Sequence, residues 1–205
     1  MKKSTTFTYE VENGLYINLT NRCSNRCEFC IRNNGDGAYG SDSLWLEYEP
    51  SASEVLEDIE RRDMSKYSEV VFCGYGEPTY RLEVMISVAR ELKRRYGIKT
   101  RVNTNGHSDL INGSDTAALF EGALDTVCVS LNTPNPEKYE EICHPVYKKA
   151  AYDAMLEFAK NVKKYVQNVS FSVVGEFLSE KEIEECRKIA EDCGVALRVR
   201  DYISS

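Results

Sequence analysis

Hydrophobic and polar residues alternate along this chain in two periods that take turns. Over residues 15–20 the order is apolar, polar, apolar, polar, which buries one face of a strand. The period then lengthens. Ser51 and Glu54 have the spacing of a capping box, and Ala52, Val55, Leu56 and Ile59 follow on one helical face. A β-branched run at 69–73 ends against Gly74 and predicts a second strand. Leu82, Met85, Ala89, Leu92 and Tyr96 predict a helix that Gly97 stops. Residues 98–104 predict a third strand, 114–121 a short helix, and 126–131 a fourth strand. Asn135 then caps a helix with Pro136 at its first position. Ala151, Met155, Phe158 and Val162 line a longer helix ahead of a fifth strand at 169–174. Ser179 and Glu182 form another capping box, Gly194 ends that helix, and 195–202 give a sixth strand.

Strands and helices in regular succession imply parallel strands joined by right-handed crossovers. Six such units are too few for the closed eight-stranded barrel. The predicted fold is α/β, a partial (β/α)6 barrel of parallel strands, open on one side, with residues 1–205 as a single domain. Ligands of such folds lie at the carboxyl ends of the strands. Those segments are 21–30, 74–78, 103–106, 130–133 and 175–176. The sixth strand sets Val195, Leu197 and Val199 against Arg198, Arg200 and Tyr202. That polar set is costly to bury under helices, so it is expected in the barrel interior beside a charged ligand. Residues 31–50 are one long irregular piece with Gly35, Gly37 and Gly40 in it. Loops of this length are often functional. A lid that orders over the site and a permanently ordered surface loop are the two readings.

Composition narrows the function classes. An apolar share of 42% with a net charge of −7 describes a folded globular chain, not a disordered one. The same charge disfavours non-specific nucleic-acid binding, which relies on clustered Lys and Arg. No apolar run approaches the roughly 20 residues of a membrane span. The two lysines near the start are followed by no apolar stretch of a signal peptide. The expected location is the cytoplasm, with no membrane partner. Eight cysteines in a reducing compartment then point to metal or redox chemistry before disulfides. Cys73 and Cys128 end strands and read as small core residues, Cys186 and Cys193 as helix packing, and Cys143 as a thiol near the open barrel end. Cys23, Cys27 and Cys30 crowd together.

The run Cys23-Ser-Asn-Arg-Cys27-Glu-Phe-Cys30 has the spacing C-x3-C-x2-C. Three such thiolates can curl around a cubic iron–sulfur cluster and bind three of its irons, leaving one for an external ligand. Electron-transfer clusters usually carry four cysteines. On spacing alone, a zinc site completed by a distant Cys or His and a redox pair of Cys27 and Cys30 are the alternatives. With Phe29 before the last cysteine, the run is similar to the signature of the radical S-adenosylmethionine (SAM) superfamily. The similarity extends to Gly74-Tyr-Gly-Glu-Pro78, where Tyr75 replaces one glycine of the family's Gly-Gly-Glu-Pro element. It continues through Asn103-Thr-Asn-Gly106 and Val129-Ser-Leu-Asn132, where many members have Asp in place of Asn132. The Asn-Arg-Cys lead-in, residues 31–37, Leu44-Trp-Leu46 and Glu49-Pro50 resemble the small radical SAM proteins associated with TatD-family hydrolases.

The resemblance implies a [4Fe–4S] cluster on Cys23, Cys27 and Cys30 and an oxygen-sensitive oxidoreductase. It implies that SAM chelates the open iron through its amino and carboxylate groups. An electron from a reduced flavodoxin or ferredoxin-type donor then breaks the sulfonium C–S bond. The resulting 5′-deoxyadenosyl radical takes a hydrogen atom from a substrate, small or macromolecular, that the resemblance does not name. Gly74 and Gly76 would admit the methionyl part of SAM, with Tyr75 at the barrel mouth, and Glu77 would hold the SAM ammonium. Asn103, Asn105, Ser130 and Asn132 would meet its ribose or carboxylate. Arg198 and Arg200 would neutralise that carboxylate or an acidic substrate group. The plain readings beside these are a Gly-Pro turn, strand-end caps and surface salt bridges. The narrower resemblance adds a functional link to a TatD-family hydrolase. The competing functions on the same fold are a zinc-stabilised binding protein and a non-catalytic iron–sulfur electron carrier.

Overall fold

The computed structural model describes residues 2–202. Among these, seven strands form one sheet in sequence order. β1 (Thr8–Val11) and β2 (Gly14–Ile17) pair antiparallel across a tight turn at Glu12, whose φ is 52°. From β2 onward every pairing is parallel: β3 (Glu69–Phe72), β4 (Lys99–Thr104), β5 (Thr126–Ser130), β6 (Asn168–Val174) and β7 (Ala196–Arg200). The six parallel strands are those the sequence predicts. β1 is an addition, so the sheet is seven-stranded and mostly parallel, a partial barrel whose edges are β1 and β7.

The crossovers carry α1 (Ala52–Glu60), α2 (Leu82–Tyr96), α3 (Ser108–Asn112), α4 (Pro136–Cys143), α5 (Ala150–Val162) and α6 (Glu180–Asp192). Both capping boxes form: Ser51 and Ser179 each accept from the backbone three residues on, and Glu54 and Glu182 reach back. The helix predicted at 114–121 is instead a single 3-10 turn at Ala117–Phe120. The true helix of that crossover is α3, too short to show a period.

Strand alternation splits the sheet into two faces of opposite character. Leu15, Ile17, Val70, Phe72, Val102, Val127, Val129, Phe171 and Val173 point at the helices and form the core with Met85, Leu92, Met155 and Phe158. Each fully buried Phe or Leu here contributes about 1.5–3 kcal/mol of transfer free energy. The inner face carries Tyr16, Glu69, Arg101, Asn103, Ser130, Ser172 and Arg200. Arg101 joins this set together, donating to Glu69 (2.8 Å), Asn103 Oδ1 (3.1 Å) and Tyr16 (3.4 Å). Cys128 is buried, as its reading as a small core residue expects, whereas Cys73 is half-buried beside Asn103 and Arg101 of the inner face and departs from that reading. Among the described residues no helix is long and apolar enough to cross a membrane.

Candidate functional site

The chain leaves β2 at Ile17 and enters a segment with four buried polar residues: Asn18, Thr20, Ser24 and Asn25. Polar groups this deep need partners, and the partners fix the cysteine loop. Ser24 Oγ lies 2.9 Å from His107 Nδ1 and accepts from Asn105 Nδ2 at 2.7 Å. His107 Nε2 lies 3.3 Å from the Tyr139 hydroxyl, which also accepts from Asn25 Nδ2 at 3.0 Å. Arg26 and Glu28 donate their backbone N–H to the carbonyls of Cys143 and Ile142, and Val146 N donates back to Ser24 O. The loop is thus hung between the turn after β4 and the end of α4.

Burial holds His107 well below the usual imidazole range, at about 4, so it is neutral at physiological pH. This has a testable consequence. Between pH 6.5 and about 4 the unfolded chain binds a proton that the folded chain does not. His107 therefore contributes stability that is present above 6.5 and lost as pH falls toward 4, by up to about 3 kcal/mol. Urea titrations of apo-protein at pH 7.5 and 4.5 check it. In His107→Gln that share of the acid loss disappears; an unchanged pH slope would remove His107 as its source.

Cys23, Cys27 and Cys30 are free, half-buried thiols on this loop. Burial, with Glu77 nearby, pushes Cys23 up to about 12. A hydrogen bond to Cys143, then burial, raises Cys27, and burial raises Cys30. The positive Arg32 opposes the rise at all three. Its guanidinium is pinned by the carbonyls of Asn25 (3.3 Å) and Tyr75 (3.5 Å). Among the described residues no three such side chains converge on a point suited to one metal ion. Three free thiols on one loop beside a fixed cation are a donor set whose chemistry suits an anionic iron–sulfur cluster.

The Gly-Tyr-Gly-Glu element lies alongside. A Cβ at Gly74 would stand 2.1 Å from Asn18 Oδ1, and one at Gly76 would stand 2.3 Å from Thr20 O. Both glycines therefore let this turn press against the segment that leads into the cysteines. That gives them a packing role where the sequence suggests a cofactor gap. Tyr75 does not face the barrel mouth. It is buried against Tyr9, Ala38 and Leu44, and its hydroxyl donates to the carbonyls of Gly35 (3.0 Å) and Gly37 (2.8 Å). Glu77 is buried too. Its carboxylate accepts from Thr79 N and Oγ1, Thr104 Oγ1 and Asn105 N. It ties two strand-end turns together within the protein, where the sequence suggests a partner for the SAM ammonium.

The remaining predicted residues divide. Asn105 joins the cysteine loop, with Nδ2 also 3.8 Å from Cys23 Sγ. Asn132 is left-handed, with φ 64°, and donates to Cys143 Sγ at 3.4 Å. Ser130 ends β5 opposite Ser172. Asn103 sits deeper, held by Arg101. Arg200 is half-buried and its charge reaches Cys73 and Tyr39 across the inner face, whereas Arg198 is exposed. Tyr202 stacks edge-on against Phe177, which in turn packs on Phe29 of the cysteine run. Residues 31–50 are built in. Ala38, Leu44 and Leu46 are buried, Tyr75 holds two carbonyls, and Asn21 pairs both ways with the Leu46 backbone. This supports the permanently ordered loop over the lid. Ser24, Asn25 and Tyr139 are site residues that sequence reasoning misses, whereas Arg32, in the glycine-rich piece after the last cysteine, and His107, directly after the Thr-Asn-Gly turn, each carry a local signal.

An open parallel sheet with a cysteine loop and polar turns at its strand ends defines an α/β protein built to hold a cofactor there. The chain belongs to the radical SAM superfamily, whose family model matches residues 17–190. The superfamily uses a [4Fe–4S] cluster and SAM. The chain is 32% identical over 127 residues to the GTP 3′,8-cyclase of Limosilactobacillus fermentum, covering 62% of this chain and 35% of that protein. It is 31% identical over 158 residues to a probable dual-specificity RNA methyltransferase of Synechococcus, covering 74% and 44%. A solved radical SAM methyltransferase from Sphaerobacter thermophilus shares the fold with a TM-score of 0.65 at 17% identity, over 94% of this chain and 57% of that one. The chain spans less than half the length of these two curated relatives.

Proposed function

We propose that this chain is a radical SAM enzyme whose cluster is ligated by Cys23, Cys27 and Cys30. When bound there, the cluster and SAM would supply reductive cleavage of the sulfonium bond and hydrogen-atom abstraction from substrate. The observation that carries this reading is the cysteine loop itself: three free, half-buried thiols in one cross-braced loop at the strand ends. The protein's part is orientation and exclusion of water. Ser24, His107 and Tyr139 fix the loop from beneath, and Arg32 places a positive charge beside the sulfurs. Gly74, Gly76 and Glu77 set the neighbouring turn. The backbone of that turn, with Ser130 and Arg200, borders the space in which SAM and substrate would lie. A reduced flavodoxin or ferredoxin-type protein supplies the electron. The eight free thiols suit a reducing compartment such as the cytoplasm. The pattern in residues 31–50 supports a functional link to a TatD-family hydrolase.

The test is direct. Protein reconstituted anaerobically with iron and sulfide, then given dithionite and SAM, is expected to release 5′-deoxyadenosine and methionine, read by chromatography and mass spectrometry. A colourless protein holding zinc instead of iron would reject the reading. An iron–sulfur protein that leaves SAM intact would make it an electron carrier.

A further inference from the structure

Val146 is the most exposed large apolar residue among those described, at 64%. It lies in the segment between α4 and α5, residues 144–149. That segment is tied to the cysteine loop by backbone bonds. Arg26 N donates to Cys143 O and Val146 N donates to Ser24 O, each at 2.8 Å. Cations flank the valine along the segment and across the loop. Arg26, Lys148 and Lys149 are exposed and hold no carboxylate, whereas Arg22, Lys93, Arg95 and Lys138 each hold one. Glu28, the acid of the cysteine loop, is turned to His144 at 3.3 Å. Glu140 and Glu141 lie earlier, on α4. The backbone adds a second observation. His144 and Lys148 are left-handed, with φ 43° and 51°. Glycine adopts that conformation without steric cost. The chain carries a histidine and a lysine there, so two basic side chains stay at the surface against the preference of the backbone.

We propose, on the reading that the cysteine loop holds the cluster, that this face docks the electron carrier, a small acidic protein. Val146 is the apolar centre of the contact, and Arg26, Lys148 and Lys149 are its charged rim. Such interfaces join an apolar centre to a polar rim, and complementary charge speeds the encounter. Position supports the assignment. SAM and substrate occupy the barrel side of the cluster, so the electron enters from another flank of the loop, and this segment is bonded to the loop itself. Single-stranded nucleic acid would call for exposed rings to stack on. The tyrosine of the segment, Tyr147, packs on His107 instead, at 5.8 Å. The step is a one-electron exchange. With a flavodoxin as carrier, its anionic hydroquinone becomes the neutral semiquinone, the cluster gains that electron, and no bond forms or breaks between the partners.

Wild type, Lys148→Gly/Lys149→Gln and Val146→Ser are reconstituted anaerobically and assayed for iron. Each is mixed with an acidic flavodoxin in its hydroquinone state, and flavin oxidation is followed by stopped-flow absorbance. The wild-type second-order rate is expected to fall about tenfold or more from low salt to about 1 M salt, where charges are screened within about 3 Å. At low salt the double variant should be about tenfold slower than wild type. Val146→Ser should be slower at every salt concentration. Glycine suits the backbone at position 148, so strain does not account for the loss. Dithionite, a small reductant that needs no docking face, should reduce all three proteins alike. Calorimetry of oxidised flavodoxin with the iron-free proteins should rank their affinities in the same order. Wild-type rates and affinities in both variants overturn the proposal. So does a short single-stranded RNA that binds more tightly than flavodoxin and is lost in the same variants. Iron missing from wild type would instead sink the cluster reading, and the calorimetry would still decide the docking face.

Discussion

Cys27→Ala, reconstituted anaerobically with iron and sulfide, is expected to retain iron only at background and to release no 5′-deoxyadenosine from SAM. Cys23→Ala and Cys30→Ala should behave alike. The argument is one of ligand count. Three thiolates hold three corners of a cube, and the fourth corner is kept for an exchangeable ligand, so the protein has no spare donor. Cys143 ends α4 and lies outside the cysteine loop. The fold should survive the change. The half-buried Cys27 side chain packs at the edge of the core, and the loop keeps its bonds through Ser24, Asn25 and the Arg26 and Glu28 amides. Circular dichroism and the unfolding midpoint of the apo-variant should therefore match wild type within about 1 kcal/mol, a surface-like effect. Iron at wild-type stoichiometry in any of the three variants would remove that cysteine from the ligand set.

What the sequence shows and what it hides separate along one physical line. Features set by near neighbours are legible. The six parallel strands announce themselves because each buries one face against helices, and both capping boxes are contained within four residues. The cysteine spacing is local in the same sense. β1 is not legible, because its Thr8 and Glu10 side is satisfied by Asp58 of α1 and by Arg62 just beyond that helix, and not by apolar burial. The braces of the cysteine loop are hidden for a related reason. Ser24 and His107 are 83 residues apart, and His107 and Tyr139 are 32 apart. No local pattern pairs them. For Tyr75 and Glu77 the sequence gives the residue at the strand end but not the direction of its side chain. Both turn inward because polar tips that are buried seek the nearest free backbone groups. For Tyr75 those are the carbonyls of Gly35 and Gly37, and for Glu77 the N–H groups of Thr79 and Asn105.

That direction gives Glu77 the larger structural consequence. Glu77→Ala strips the acceptor from two backbone N–H groups, Thr79 and Asn105, and from the hydroxyls of Thr79 and Thr104, all of them buried. The hydroxyls can turn to new partners, but the N–H groups cannot. At roughly 1–3 kcal/mol for each unsatisfied buried donor, the variant should lose about 3–4 kcal/mol of stability. Glu77→Gln keeps one acceptor oxygen and should lose about half of that. The carboxylate also leaves a signature in pH. Burial raises its pKa above the ordinary value, and the four hydrogen bonds oppose the rise without cancelling it. The folded chain therefore holds the proton more tightly than the unfolded chain. The stability that Glu77 contributes is fully present below the ordinary carboxylate range and is lost as pH rises through its raised folded value. This runs opposite to His107, whose contribution is lost on acidification. Subtracting Glu77→Gln from wild type in urea titrations of apo-protein from pH 4 to 8 should give a difference that falls with pH. The same subtraction for His107→Gln should rise. A Glu77→Ala protein within about 1 kcal/mol of wild type, or a Glu77 difference curve that rises with pH, would show that its carboxylate is not the buried tie between the two turns.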